Sequence, residues 1–259
     1  MENKTLEKLV YAFSLFPEVE AVALSGSKTS PVNDENSDYD LYIYQNAPLA
    51  REKRREMLED LGLTCIVGGS PFEEGDEAKD DKDYFDMMYR TLEWTEKEID
   101  DVWFKHSARL GYTTAFLYNL KTSRILFDRN GKLTALLEPL NGPYPEELKK
   151  NIIHLNLNTM DSDTEAPFIK QIELAVKRGD LISQNHRLTA LLSSYFDVLF
   201  AFNGVLHPGE KKLGKYVPMF CEKLPENYEE EMTQTLLSHD EELVINAEKL
   251  LKHLHELVD

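Results

Sequence analysis

The sequence predicts an α+β chain: an amino-terminal half in which short strands and helices alternate, and a carboxy-terminal half that is a helical bundle. Three observations predict it. Short apolar or aromatic runs of strand character recur between stretches of helical spacing as far as Phe127. Asn141-Gly142-Pro143-Tyr144-Pro145 is the densest turn signal in the chain. Beyond it, almost every apolar residue falls at helical spacing. The expected division is therefore 1–142 and 143–259.

Leu6, Leu9, Val10, Phe13 and Phe16 recur at helical spacing and predict a first helix. Val19, Ala21, Val22, Ala23 and Leu24 form an apolar run that reads as a buried strand ending in a turn at Gly26. A second strand follows where Tyr39, Leu41 and Ile43 alternate with acids. Pro48 opens a charged helix to about Leu61, and Thr64-Cys65-Ile66-Val67 is a third strand. Glu73 to Asp83 is rich in acids, contains Gly75, and reads as a loop able to add charge to a site. Asp83 to Tyr89 reads as a strand, Trp94, Ile99, Val102 and Trp103 as one helical stripe, and Ile125-Leu126-Phe127 as a last short strand. In the helical half, Leu188, Leu191, Leu192, Tyr195, Phe196, Leu199 and Phe202 are apolar on more than one face, as expected of the centre of a bundle. Leu243, Ala247, Leu250, Leu251, Leu254 and Leu257 give a regular amphipathic helix.

Composition narrows the partners. With 42% hydrophobic residues in 259, the chain can bury a core without staples. Two cysteines, Cys65 and Cys221, suggest neither a disulfide framework nor a cysteine zinc site, which fits a reducing cytoplasm. The first residues carry Glu2, Lys4, Glu7 and Lys8 rather than a signal-peptide core, and no later run approaches membrane-spanning length. Acids outnumber bases 47 to 29 for a formal charge of −18, which disfavours a polynucleotide because such binding draws on lysine and arginine contacts with phosphate. The same field is compatible with a cationic acceptor, although an acidic surface also serves solubility alone.

The chemistry concentrates in two stretches. Leu24-Ser25-Gly26-Ser27 places a tight turn after a strand, where Gly26 lets the backbone approach a ligand and Ser27 offers a hydroxyl and an N–H to phosphate oxygens. Eleven residues after Gly26, Ser37-Asp38-Tyr39-Asp40-Leu41 puts two carboxylates on one strand face. Adjacent carboxylates repel unless a cation joins them, and hard oxygen ligands favour magnesium. A calcium loop from Asp34 to Asp40 lacks the glycine and the closing glutamate of that motif. Asp86 lies among apolar neighbours; it is either a third acid that binds metal or takes a proton, or an edge-strand aspartate paired with Arg90.

Residues 24 to 41 resemble the signature of the nucleotidyltransferase superfamily with the DNA polymerase beta-like catalytic fold, in which Gly-Ser is followed by Asp-x-Asp and a later strand supplies a third acid. The layout looks more like the bacterial small-molecule branch, the lincosamide and aminoglycoside nucleotidyltransferases and their uncharacterised relatives. Asp86-Met87-Met88-Tyr89-Arg90, and Phe200-Ala201-Phe202-Asn203 followed by His207-Pro208-Gly209-Glu210-Lys211, extend the resemblance. Pro31 stands where many relatives carry a glycine, which bears on the loop conformation more than on the chemistry.

The resemblance implies an amino-terminal nucleotidyltransferase domain with a small mixed sheet flanked by helices, and a helical acceptor-binding domain. It implies transfer of a nucleoside monophosphate from ATP or another triphosphate to a hydroxyl, with one or two magnesium ions held by Asp38, Asp40 and Asp86. Gly26, Ser27, Ser37 and Lys211 then fall to the nucleotide, and Asp86 is ligand or base. The expected acceptor is a small hydroxylated molecule, an antibiotic by family habit. A protein hydroxyl, as in antitoxin-like nucleotidyltransferases, and a non-catalytic nucleotide-binding module are the alternatives. Glu173, Asp197 and Glu210 stay open as second bases from the helical half.

Overall fold

In a computed structural model, residues 3–32, 37–69, 74–162 and 166–259 are described. Asp34, where the calcium-loop reading starts, and Glu73 lie outside them. The chain divides into two compact units, Met1–Asp100 with Asn119–Gly142, and Asp101–Tyr118 with Pro143–Asp259. The division is thus not a single cut, because 101–118 belongs with the second unit.

The first unit is built on a six-stranded mixed sheet in the order β3-β4-β5-β2-β1-β6. Its strands are β1 (Val19–Ser25), β2 (Tyr39–Gln45), β3 (Thr64–Val67), β4 (Gly75–Lys79), β5 (Tyr84–Arg90) and β6 (Arg124–Asp128). Only β2 and β5 run parallel; the other neighbours are antiparallel. Helices α1 (Lys4–Ser14) and α2 (Arg51–Asp60) cover one face. There Leu6, Leu9, Phe13 and Leu58 pack with Leu24, Leu41, Ile43, Phe85 and Met87. Each fully buried side chain of this size stabilises the fold by about 1.5–3 kcal/mol before conformational entropy is set against it. Helix α1 is started by Asn3, whose side chain accepts from the Thr5 and Leu6 amides, and it ends before Phe16.

On the opposite face, Ala21, Ala23, Tyr42 and Tyr44 pack with Leu92 of α3 (Leu92–Ile99) and Leu133 of α5 (Lys132–Leu137), the helices that flank α4 (Ala115–Thr122) in sequence. Period-two alternation along β2 places Leu41 and Ile43 on the first face and Asp40, Tyr42 and Tyr44 on the second. Two readings of the sequence need correction here. Residues 75–79, taken for loop, form β4, which is held by pairing on both sides with β3 and β5. The stripe from Trp94 to Trp103 is not one helix, because α3 gives way to a π-helical turn at Asp100–Phe104, and Trp94 is exposed.

The second unit contains α6 (Glu146–Met160), α7 (Phe168–Lys177), α8 (Leu181–Phe202), α9 (Leu213–Phe220), α10 (Tyr228–Leu237) and α11 (Asp240–Val258). Helix α8 is its centre and packs on α6, α7 and α11. It buries Leu188, Leu191, Tyr195, Val198, Leu199 and Phe200, which explains why its sequence is apolar on more than one face. Among the described residues no helix is long and apolar enough to cross a membrane.

Candidate functional site

Strand register brings the predicted acids together. On β2 and β5, which run parallel, Asp40 stands directly opposite Asp86. On the other flank of β5, Glu77 of β4 stands opposite Asp86. Directly paired residues share a sheet face, so Glu77, Asp86 and Asp40 form a row across three strands, continued on β1 by Ser25. Asp38 lies one alternation before Asp40, at the entry to β2, and is exposed.

The turn after β1 closes on this row. Gly26 opens a single 3-10 turn, Gly26–Thr29, with a positive φ of 66°. A Cβ on Gly26 would stand 1.8 Å from Asp40 Oδ2, so the site requires glycine both for backbone conformation and for space. Ser27 follows in the same turn, half-buried. Lys28, which the sequence reading did not single out, carries its Nζ over the Tyr39 ring at 4.6 Å, beside the residue that separates the two acids. Ser37 is half-buried just before them.

The electrostatics of Asp86 are set by missing compensation. Asp86 is half-buried, and its carboxylate is joined to no described residue by a hydrogen bond or ion pair. Arg90, the counter-ion the sequence offers for it, lies over the Tyr42 ring at 4.1 Å instead. Burial first, then the charges of Glu77 and Asp38, push the Asp86 carboxyl above the usual carboxylate range. Among the described residues no group of three or more histidine, cysteine, aspartate or glutamate side chains is drawn together as a metal cage. An open cavity of about 590 Å³, lined by residues such as Glu20, Gln45, Thr91 and Lys132, lies at the opposite ends of these strands from the acids.

Of the other predicted residues, Lys211 is exposed in the second unit, immediately before the left-handed Lys212 that precedes α9. Glu173 makes an i,i+4 ion pair with Lys177 on α7. Asp197 is fully enclosed in α8 and accepts from the Thr113 amide and hydroxyl and from the Asn156 amide. Burial pushes its carboxyl up to about 7, against those donors. Sequence reasoning missed Glu77, whose only signal was its place in an acidic stretch, part of which the neighbouring strands turn into β4.

A family model described as a domain of unknown function (DUF4037) matches residues 110–213. No curated protein matches the chain. In structure, the chain is similar to a nucleotidyltransferase-like protein from Exiguobacterium sibiricum 255-15, at 12% identity and a TM-score of 0.49 over 98% of this chain and 73% of that one. It is also similar to the spectinomycin adenyltransferase AAD(9) from Enterococcus faecialis, solved with ATP and spectinomycin, at 13% identity and a TM-score of 0.33 over 97% of this chain and 98% of that one. Neither likeness reaches a TM-score of 0.5, and the functional reading rests on this chain's own residues.

Proposed function

We propose that the chain is a magnesium-dependent nucleotidyltransferase that passes a nucleoside monophosphate, AMP from ATP, to a hydroxyl of a small molecule and releases pyrophosphate. One observation carries this reading: the Glu77, Asp86, Asp40 row, with Asp38 at its edge, facing a turn that tolerates only glycine. Like charges opposite one another across strands destabilise a sheet. Nothing among the described residues compensates Asp86, as a purely structural carboxylate would require.

The donor set fits magnesium. All its atoms are hard oxygens, and this ion is ordinarily bound by one or two carboxylates together with substrate phosphates rather than by a protein cage. That is consistent with acids that form no three-ligand group by themselves. Asp38 and Asp40 would hold it, and it would supply positive charge to the phosphates during transfer.

The chain's own residues do the rest. Gly26 and Ser27 present the turn backbone and a hydroxyl to the phosphate oxygens, with Lys28 adding charge at the same turn and Ser37 a further hydroxyl. The acceptor oxygen bonds to the α-phosphorus, the bond from that phosphorus to the bridging oxygen breaks, and pyrophosphate leaves with the electron pair. Asp86 takes the hydroxyl proton, a role helped by a carboxyl that burial and its neighbours hold above its usual range. Lys211 is a second candidate for the phosphates, and an antibiotic acceptor in the cytoplasm is the narrower form of the proposal.

The test is pyrophosphate release from ATP and magnesium across a panel of hydroxylated acceptors. Asp38→Asn and Asp40→Asn are expected to reduce it on the order of 10²–10³-fold with the fold intact. Near-normal rates in either variant would refute the two-acid arrangement.

A further inference from the structure

The sheet face that carries the acids is covered over only part of its width. Over β1 and β2 it packs Ala21, Ala23, Tyr42 and Tyr44 against α3 and α5. Register carries the same face outward across β5, β4 and β3. Asp86 stands opposite Glu77, and Glu77 opposite Ile66. Tyr84, two residues before Asp86 and so on the same face, stands opposite Lys79, and Lys79 opposite Thr64. Here the face is open. Ile66 and Tyr84 each keep 58% of their surface exposed, and Thr64, Glu77 and Lys79 are exposed with them. The alternate residues Val67, Ala78 and Phe85 point to the other face and supply its core, so Ile66 and Tyr84 add nothing to that packing. Lys79 Nζ lies over the Tyr84 ring at 5.9 Å, near the limit of a cation–π contact, and leaves the ring more than half exposed. Two large apolar side chains thus stand in water beside the acids.

Strand order fixes where this open face lies relative to the phosphate turn. β5, β4 and β3 are on one side of β2, whereas β1 and the Gly26 turn are on the other. In-line displacement puts the attacking oxygen and the departing pyrophosphate on opposite sides of the phosphorus. With the pyrophosphate at the Gly26 turn and the phosphorus beside Asp40, the attacking hydroxyl comes in over Asp86. The body that carries it then lies over β4 and β3. Tyr84 is roughly 7 Å from Asp86 along β5, and Ile66 roughly 10 Å from it across two strands, a span that two fused rings cover.

We propose that Tyr84 and Ile66 select the acceptor, and that this acceptor is an uncharged aromatic ring system with adjacent hydroxyls. The ring stacks on Tyr84 with its far edge toward Ile66. One hydroxyl meets Asp86, and its neighbour donates to Glu77, whose carboxylate has no donor among the described residues. An aliphatic polyol would leave both apolar side chains in water. The assignment as acceptor rests on the transferase reading; the surface itself is tested by binding alone.

Ligand-observed NMR on the full chain, without nucleotide, would compare naphthalene-2,3-diol with 2-naphthol, which lacks one hydroxyl, and with myo-inositol, which lacks the aromatic surface. The aromatic diol is expected to bind, with 2-naphthol and myo-inositol each weaker by roughly tenfold or more. Glu77→Gln should narrow the gap between the diol and 2-naphthol. Tyr84→Thr, which suits a strand, should weaken the diol by roughly tenfold, the effect of one stacked ring, while Tyr84→Phe retains it and Ile66→Thr costs about threefold. Ile182→Thr, at a still more exposed isoleucine of α8, should leave binding unaltered. Where the diol supports pyrophosphate release, Tyr84→Thr should raise KM more than it lowers kcat, as expected of a residue that binds rather than reacts. These binding effects without pyrophosphate release would uphold the surface and refute the transferase reading. Equal binding of the diol and myo-inositol, no binding of the diol at about 1 mM, a Tyr84→Thr variant that binds like the parent, or displacement of the diol by ATP, as a base stacked on Tyr84 would cause, would overturn the proposal.

Discussion

Asp76 and Glu77 are consecutive residues of β4 that face opposite sides of one sheet, and they are opposites in every physical respect. Asp76 is 2% exposed and fully supplied: it accepts from the Tyr89 hydroxyl at 2.7 Å and the Gly68 amide at 2.9 Å, with Arg54 Nη1 at 3.4 Å. Arg54 is itself 1% exposed, lies over the Tyr89 ring at 4.2 Å and pairs with Glu74 as well. Glu77 is exposed, its carboxylate has no hydrogen bond or ion pair among the described residues, and it stands opposite Asp86. A carboxylate that serves the fold is found with its counter-charge and donors in place. Glu77 and Asp86, whose carboxylates lack them among the described residues, are explained by what they bind.

Breaking the compensated side should have the largest effect. Arg54→Met leaves Asp76 buried without its cation, and removal of one partner of a buried pair costs about 3–5 kcal/mol. Urea unfolding at pH 7 checks this. The double variant Arg54→Met with Asp76→Asn should recover much of the loss, because the uncompensated charge goes with it.

On the face that carries Asp40, geometry can be disturbed without altering any charge. Gly26→Ala places a methyl 1.8 Å from Asp40 Oδ2 and 2.6 Å from its Cγ, at a φ of 66°. Asp40 must move. A misplacement of this kind costs roughly a hundredfold in turnover, close to 3 kcal/mol of barrier. Pyrophosphate release would show it, against a smaller shift in the unfolding midpoint.

Asp197 stands between the two cases, since it has three donors but no cation. Burial outweighs those donors and raises its carboxyl to about 7, from an unfolded value of 3.8. The folded state therefore keeps the proton longer. This contribution to stability is full below about pH 4, declines as pH rises between the two values, and is lost above 7. The slope is up to about 1.4 kcal/mol per pH unit. Unfolding midpoints from pH 4 to 8 should show the decline in the parent chain and a flatter profile in Asp197→Asn.

How much of this was legible in the sequence follows the same divide. Asp38 and Asp40 stand out because they alternate with Tyr39 and Leu41 where a strand run begins, Asp86 because it interrupts one, and Gly26 because it ends one. Glu77 could not. Its segment is acidic, begins with glycine and has no β-branched residue, so its strand conformation comes from pairing with β3 and β5 rather than from propensity. Arg54 reads as one more charge on a charged helix, and only the fold reveals that it is buried. Tyr112 reads as an ordinary residue after a glycine; its left-handed backbone is imposed by Asp197 and Asn156, which lie 85 and 44 positions away in the chain. Local pattern specified which acids leave a strand face, whereas partnership was set by contacts distant in sequence.

The finest test replaces Glu77 by glutamine. Asp86 is held above the usual carboxylate range by burial, then by Glu77 and Asp38, so removing the Glu77 charge lowers it toward its ordinary value. An aspartate raised in the folded state loses stability as pH increases through that raised value, and Glu77→Gln should relieve part of this near neutral pH. Like charges opposite one another in a sheet destabilise by roughly 0.2–1 kcal/mol, so the variant should be slightly more stable than the parent in urea at pH 7. Its acidic limb of turnover against pH should move to lower pH, since the base is free at lower pH. Asp76→Asn, one residue away, should instead lose stability because it disrupts acceptors for Tyr89 and Gly68. If both variants lose stability alike, Glu77 belongs to the structural class and the row across β4, β5 and β2 is not a site.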